Sequence, residues 1–203
     1  MKTAVITFCM LFYIYFLTVL KRARLAFFYF LIGSVGLFCF LMICASDDLT
    51  APLTSEVCAA VGIIGQLSHL YASYSQYSIL FISSQGSHIS MFVDFECSGV
   101  IEMMAYVSLL LFYPVYDVLE KIYISILGVV WIFMSNAIRV LSICFMVYLF
   151  GGGVFYLAHA VVSRMIFYSL SIILYFLVFT RTQIIRQRVG GFSYGNNSKV
   201  FVK

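Results

Sequence analysis

Cys97, Arg139 and His159 are the residues of this chain whose types and settings could do chemistry. Cys97 stands in Glu96-Cys97-Ser98-Gly99, after a strand-like stretch and at the aqueous start of an apolar run. A thiol at a helix N-terminus feels the positive end of the macrodipole, which favours thiolate. Glu96 opposes that effect if it points the same way, and Gly99 would let a substrate backbone approach closely. Arg139 is flanked by Ala137, Ile138, Val140 and Leu141. At mid-membrane such an arginine costs about 2.5–3.5 kcal/mol. Ser135, Asn136 and Ser142 lie three or four positions away and can share its helix face, a polar stripe suited to a protein interior or a hydrated cleft. The plainer alternative is an arginine that snorkels to the lipid phosphates. His159 lies in Leu157-Ala158-His159-Ala160, at the outer start of the last apolar run, where a lone neutral histidine is more often structural. Together, a thiol, an imidazole and a guanidinium make the inventory for acyl transfer: a nucleophile, an acid/base, and a cation for a carboxylate or a developing oxyanion.

The elements that must position them are apolar. The 203 residues are 64% hydrophobic and 10% charged, with a mean hydropathy of +1.06. Soluble domains are about 25% charged, so this surface calls for a lipid bilayer. The 21 Phe and 15 Tyr suit interfacial belts and tight helix packing. A net charge of +4 is too small and too segregated for nucleic acid. Hydropathy predicts spans near residues 4–20, 25–45, 99–116 and 154–180. The stretch 122–150 is uninterrupted except for Asn136 and Arg139. As one helix it would exceed about 40 Å, against a hydrocarbon core of about 30 Å. It is therefore read as a span ending around 136–139, followed by an outer helix or re-entrant piece up to Gly151-Gly152-Gly153. The first span is followed by Lys21-Arg22-Ala23-Arg24 rather than a small-residue cleavage site, so it reads as retained.

Charge sets the orientation. Lys and Arg cluster at 21–24, at Lys121 and from Arg181 onward, and none occurs from 25 to 120. Asp47, Asp48, Glu56, Asp94 and Glu96 all fall within that gap. The positive-inside rule then makes the first loop, the 117–121 loop and the C-terminal tail cytoplasmic. The N-terminus and segment 46–97 are external, in an all-α polytopic protein of about five transmembrane helices, or six if the short segment 56–70 crosses or re-enters. Residues 1–189 form a single transmembrane domain, and the polar 190–203 a disordered cytoplasmic tail. Within the external segment, 78–82 and 88–95 alternate partially around Ser83-Ser84-Gln85-Gly86-Ser87, which predicts a β-hairpin leading into Cys97. Arg164 needs a partner at depth, and Glu102 is its expected ion-pair mate. His69 and His88 read as surface residues. Cys9, Cys39, Cys44, Cys58 and Cys144 read as small hydrophobes, and nothing in the pattern calls for a metal or a cofactor. A thiol oxidoreductase would need two external cysteines, for which Cys44 and Cys97 are the only pair.

Cys97-Ser98-Gly99 after an external strand-like segment, Asn136-Ala137-Ile138-Arg139 as an NxxR pattern, and His159 opening the next span occur in an order that resembles the exosortase/archaeosortase family of membrane transpeptidases. The resemblance covers roughly 86–180 and is greatest to the compact Gram-positive form, exosortase G. It implies a cysteine protease/transpeptidase of the cell membrane with its active site on the extracytoplasmic face. Such an enzyme cleaves envelope proteins at a C-terminal sorting signal that includes a transmembrane helix. It passes the new C-terminus to an envelope acceptor through a cysteine thioester. By motif match Cys97 would be the nucleophile, with Arg139 and His159 completing the catalytic set and Asn136, Ser98 and Gly99 supporting it. The competing expectation is a non-catalytic transporter subunit or envelope-assembly partner, in which the same polar residues form a binding cleft.

Overall fold

A computed structural model describes residues 2–184 except His69, Gln85, Gly86, Asp94 and Gln183; the expected tail at 190–203 lies outside the described residues. The chain runs α1 (Lys2–Arg22), α2 (Ala26–Ser68), β1 (Tyr71–Tyr74), β2 (Ile79–Ser84), β3 (Ser87–Phe92), α3 (Val100–Phe112) and α4 (Val118–Phe150). Last comes α5 (Gly152–Arg181), a continuous helical stretch. It opens with a 3₁₀ turn and includes π segments at Ala158–Val162 and Phe176–Arg181.

Three helices among the described residues are long and apolar enough to cross a membrane, at Ala26–Cys44, Val118–Phe150 and Gly152–Arg181. Large apolar side chains such as Phe8, Leu119 and Ile172 project from the bundle fully or largely exposed, more apolar surface than a soluble monomer presents. The chain is mostly helical and built for a membrane, although fewer helices meet the length criterion than the five spans expected. The shortfall includes α3, whose 13 residues rise about 20 Å. It stops before Pro114, and its N-terminal end is preceded by a buried turn rather than by more helix, an irregular backbone that a membrane protein tolerates only inside protein.

Two expectations fail on helix continuity. Residues 122–150 do not break at 136–139; α4 is a single helix of 33 residues, about 50 Å long. No Gly or Pro occurs between Val129 and Phe150, and Asn136 and Arg139 are accommodated inside the bundle rather than by ending the helix. Nor is the start of the segment 46–97 a loop or re-entrant piece, because α2 runs unbroken through it for 43 residues and includes Pro52. At about 65 Å such a helix is twice the hydrocarbon thickness, so α2 and α4 both extend beyond the lipid.

What the extensions carry is a small sheet. β2 and β3 form the expected hairpin, with Leu80 opposite Met91 and Ile82 opposite Ile89. The sequence reading missed β1, which pairs antiparallel with β2 and makes a three-stranded sheet in the order β1-β2-β3. Its inner face presents Tyr71, Leu80, Ile82 and Met91 to Val57 and Val61 of α2 and to Ile143 and Val147 of α4 in one buried cluster. The Tyr71 hydroxyl donates to the Val61 carbonyl at 2.6 Å. A second buried cluster, with Met103, Tyr106 and Leu110 of α3, Ile132 of α4 and Phe167 and Leu174 of α5, holds the bundle below it. There α3 and α4 approach closely at Gly128, where a β-carbon would collide with the Tyr106 ring. The Tyr106 hydroxyl donates past it to the Ile124 carbonyl at 2.9 Å. The candidate residues lie where these two clusters meet.

Candidate active site

Cys97 closes a 3₁₀ turn, Phe95–Cys97, immediately before α3. Ser98 makes that turn. Its hydroxyl donates to the Phe95 carbonyl at 2.7 Å and accepts from the Val100 amide at 3.2 Å, so it occupies an orphan donor at the start of the helix. Gly99 follows at φ +75, a left-handed conformation that costs a β-carbon-bearing residue about 1–2 kcal/mol. Its carbonyl accepts from the Met103 amide at 3.0 Å and begins α3. Ser98 and Gly99 thus explain why Cys97 sits where it does. The expected aqueous access does not hold: Cys97 is 2% exposed, buried in the cluster shared by α2, the sheet and α4.

Asn136 of α4 reaches the Cys97 turn and is itself 0% exposed. Its Nδ2 donates to the Cys97 carbonyl, a short bond joining residues 39 apart. Its Oδ1 is enclosed and has no hydrogen-bond partner among the described residues. Arg139 follows one helical turn later and is 4% exposed. Its guanidinium carbon lies 5.8 Å from the centroid of the Phe167 ring of α5, within cation–π range. Enclosure between helices replaces the snorkelling alternative.

The charge of Arg139 acts on the Glu102 carboxyl. The expected polar stripe is also narrower than the spacing implied. The Ser135 hydroxyl donates to the Trp131 carbonyl at 2.8 Å, and that of Ser142 to the Arg139 carbonyl at 2.6 Å. Both return to their own helix backbone, which leaves Asn136 and Arg139 as the inward polar groups.

His159 sits in the π segment of α5, a distortion frequent at functional sites. Its ring stacks on Phe155 at 5.7 Å between centroids, and its carbonyl accepts from the Ser163 hydroxyl at 2.7 Å. Its Nδ1 is enclosed without a hydrogen-bond partner among the described residues. The neighbouring Ala158 belongs to the same buried cluster as Cys97, Ala137 and Val140. The structure therefore joins Cys97 to Asn136 directly, sets Arg139 on the next turn of the same helix, and brings the His159 segment into the cluster around them. The contacts His159 shows are with Phe155 and Ser163, not with the thiol.

Among the remaining cysteines, Cys58 and Cys144 are buried in the outer cluster. Burial raises the Cys58 thiol from its usual range, as expected of an inert packing residue. Sequence reasoning missed Phe167 and Ser163. Ser163 carried a usable signal, its i+4 spacing from His159, whereas nothing local marks a phenylalanine 28 residues from Arg139. Compared with models of protein families, with curated proteins and with solved structures, the chain finds no match.

Proposed function

We propose that this protein is a membrane-embedded cysteine transpeptidase of the exosortase type, with five spans, an external N-terminus and a site on the extracytoplasmic side. The observation that supports the reading most is the bond from Asn136 to the Cys97 carbonyl. It ties together two motif pieces that the resemblance picked out separately, with Arg139 one turn away.

In this reading the Cys97 thiol passes its proton to the His159 imidazole and the thiolate adds to a substrate carbonyl. The tetrahedral intermediate collapses with cleavage of the C–N bond. The leaving amine takes the proton from the imidazolium, and the acyl group remains on sulfur as a thioester. An acceptor amine or hydroxyl, deprotonated by the imidazole, then attacks the thioester and releases the thiolate. Arg139 stabilises negative charge nearby. The substrates are envelope proteins whose C-terminus carries a transmembrane sorting signal.

The test is a covalent adduct in the native host, cleaved by neutral hydroxylamine as a thioester is. It should form on a chain whose only cysteine is Cys97 and disappear in Cys97→Ser. An adduct that survives Cys97→Ser, or none with the parent chain, overturns the assignment. A second reading, a non-catalytic transporter subunit or envelope-assembly partner, is favoured by the burial of Cys97; on that reading Cys97→Ser is tolerated.

A further inference from the structure

The edge of β3 is built to receive a strand. The Val93 amide donates to the Ser78 carbonyl at 2.8 Å, so residue 93 points its backbone groups toward β2. Alternation along a strand then turns those of Met91 and Ile89 the same way, and those of Ser90 and Phe92 away from it. β3 is the terminal strand of the sheet, and both residues are exposed, Phe92 at 62%. Natural proteins commonly blunt such edges with charge, proline or a cover. Residues 87–93 contain no Lys, Arg, Asp, Glu or Pro.

The edge also faces the right way. β1 packs on α2 and β2 on α4. On β3, Ile89 lies against Gly152, where a β-carbon would come within 2.8 Å of it. The sheet order thus advances from α2 across α4 toward the turn that opens α5, and β3, the terminal strand, is the one nearest that turn among the described residues. Five residues after Phe92 the same chain reaches Cys97, at most about 17 Å even if fully extended. At the end of that path Asn136, bonded to the Cys97 carbonyl, holds an enclosed Oδ1 without a hydrogen-bond partner among the described residues.

We propose that β3 is the docking strand for the substrate: an extended segment of a partner protein, adjacent to its scissile bond, adds to the sheet through the backbone groups of Ser90 and Phe92. Only an extended chain matches alternating donors and acceptors at strand spacing, and this mode gives affinity through the main chain. The inference rests on the transpeptidase reading, since it supplies the route by which a peptide carbonyl reaches Cys97.

Ser90→Pro tests it, because proline removes an amide that faces the open edge and leaves the pairing with β2 intact; Ser90→Ala keeps the amide. In the native host the Cys97 adduct should form at least about tenfold more slowly in Ser90→Pro and at the parent rate in Ser90→Ala. Iodoacetamide, a probe that needs no docking strand, should label Cys97 equally in both. An adduct at the parent rate in Ser90→Pro overturns the proposal and leaves the transpeptidase reading standing. A parent chain that forms no adduct removes that reading and the proposal with it. Should Ser90→Pro fail to accumulate, benzoylphenylalanine in place of Phe92 gives a second route. It should cross-link to the protein found in the Cys97 adduct, within about ten residues of its cleavage site. Cross-linking only to a second copy of this chain would mean that the edge serves self-pairing, and would overturn the proposal.

Discussion

Removing the Asn136 amide should unlatch the turn that hides Cys97, and the size of the effect follows from burial. Asn136 is 0% and Cys97 2% exposed, so in Asn136→Ala the Cys97 carbonyl is left enclosed without the donor it had. A buried hydrogen bond contributes about 0.5–1.5 kcal/mol net, and its loss falls on the closed turn, because water serves the carbonyl once the turn opens. The opening equilibrium should therefore rise about 2- to 13-fold. A thiol reagent reaches Cys97 only in the open form, so its rate follows that equilibrium when closing is fast. The assay is the alkylation rate in detergent of a chain whose only cysteine is Cys97. Asn136→Leu, which keeps much of the volume but no donor, should accelerate it comparably, and this separates the hydrogen bond from a cavity. A chain whose only cysteine is Cys144, buried in the outer cluster, should show no such change. Parent-like rates in both Asn136 variants would refute the latch, and equal acceleration at Cys144 would mean that the whole fold had loosened.

Three further outcomes are expected. Arg139→Lys preserves charge but loses the planar fork and its stacking on Phe167, so adduct formation should fall at least about tenfold at unchanged protein level; full activity would mean that Arg139 supplies charge alone. Gly128→Ala puts a β-carbon into the Tyr106 ring and should destabilise the bundle by about 1–3 kcal/mol, read as a lowered melting temperature in detergent; an unchanged value would show that α3 and α4 separate freely. Cysteines introduced at the exposed positions 77 and 114 should react oppositely with a membrane-impermeant reagent on intact cells, Tyr77→Cys labelled and Pro114→Cys not. The reverse pattern would invert the topology and place Cys97 on the cytoplasmic side.

The helical, membrane-built character and the β2–β3 hairpin were legible because both rest on local pattern: apolar runs in the one case, alternation around a polar turn in the other. The extent of α2 and α4 was not. A hydrocarbon core of about 30 Å limits how much helix lipid can cover, but it sets no limit on a helix that continues into protein. The sheet that covers Ile143 and Val147 of α4 lies far from those residues in sequence. β1 escaped notice because four residues of the sequence Tyr-Ala-Ser-Tyr carry too little alternation to distinguish a strand from a polar, aromatic loop. Its identity comes from pairing with β2.

At the site, the residue types were conspicuous because polar groups in apolar helices are costly, but their partners depend on which way side chains lean. On a helix they tilt toward its N-terminus. α3 and α4 are antiparallel here, since Asn136 meets the Cys97 turn while Ile124 meets Tyr106 further along α3. The N-terminus of α4 therefore points inward, and the Arg139 guanidinium is carried from a Cα beyond the Cys97 turn back toward the first turn of α3. There its charge reaches Glu102 and its face meets Phe167. The consequence for the chemistry is directional. On the proposed reading, the guanidinium stands toward the Phe167 side of the Cys97 turn, and from there it would meet negative charge on a carbonyl held at Cys97.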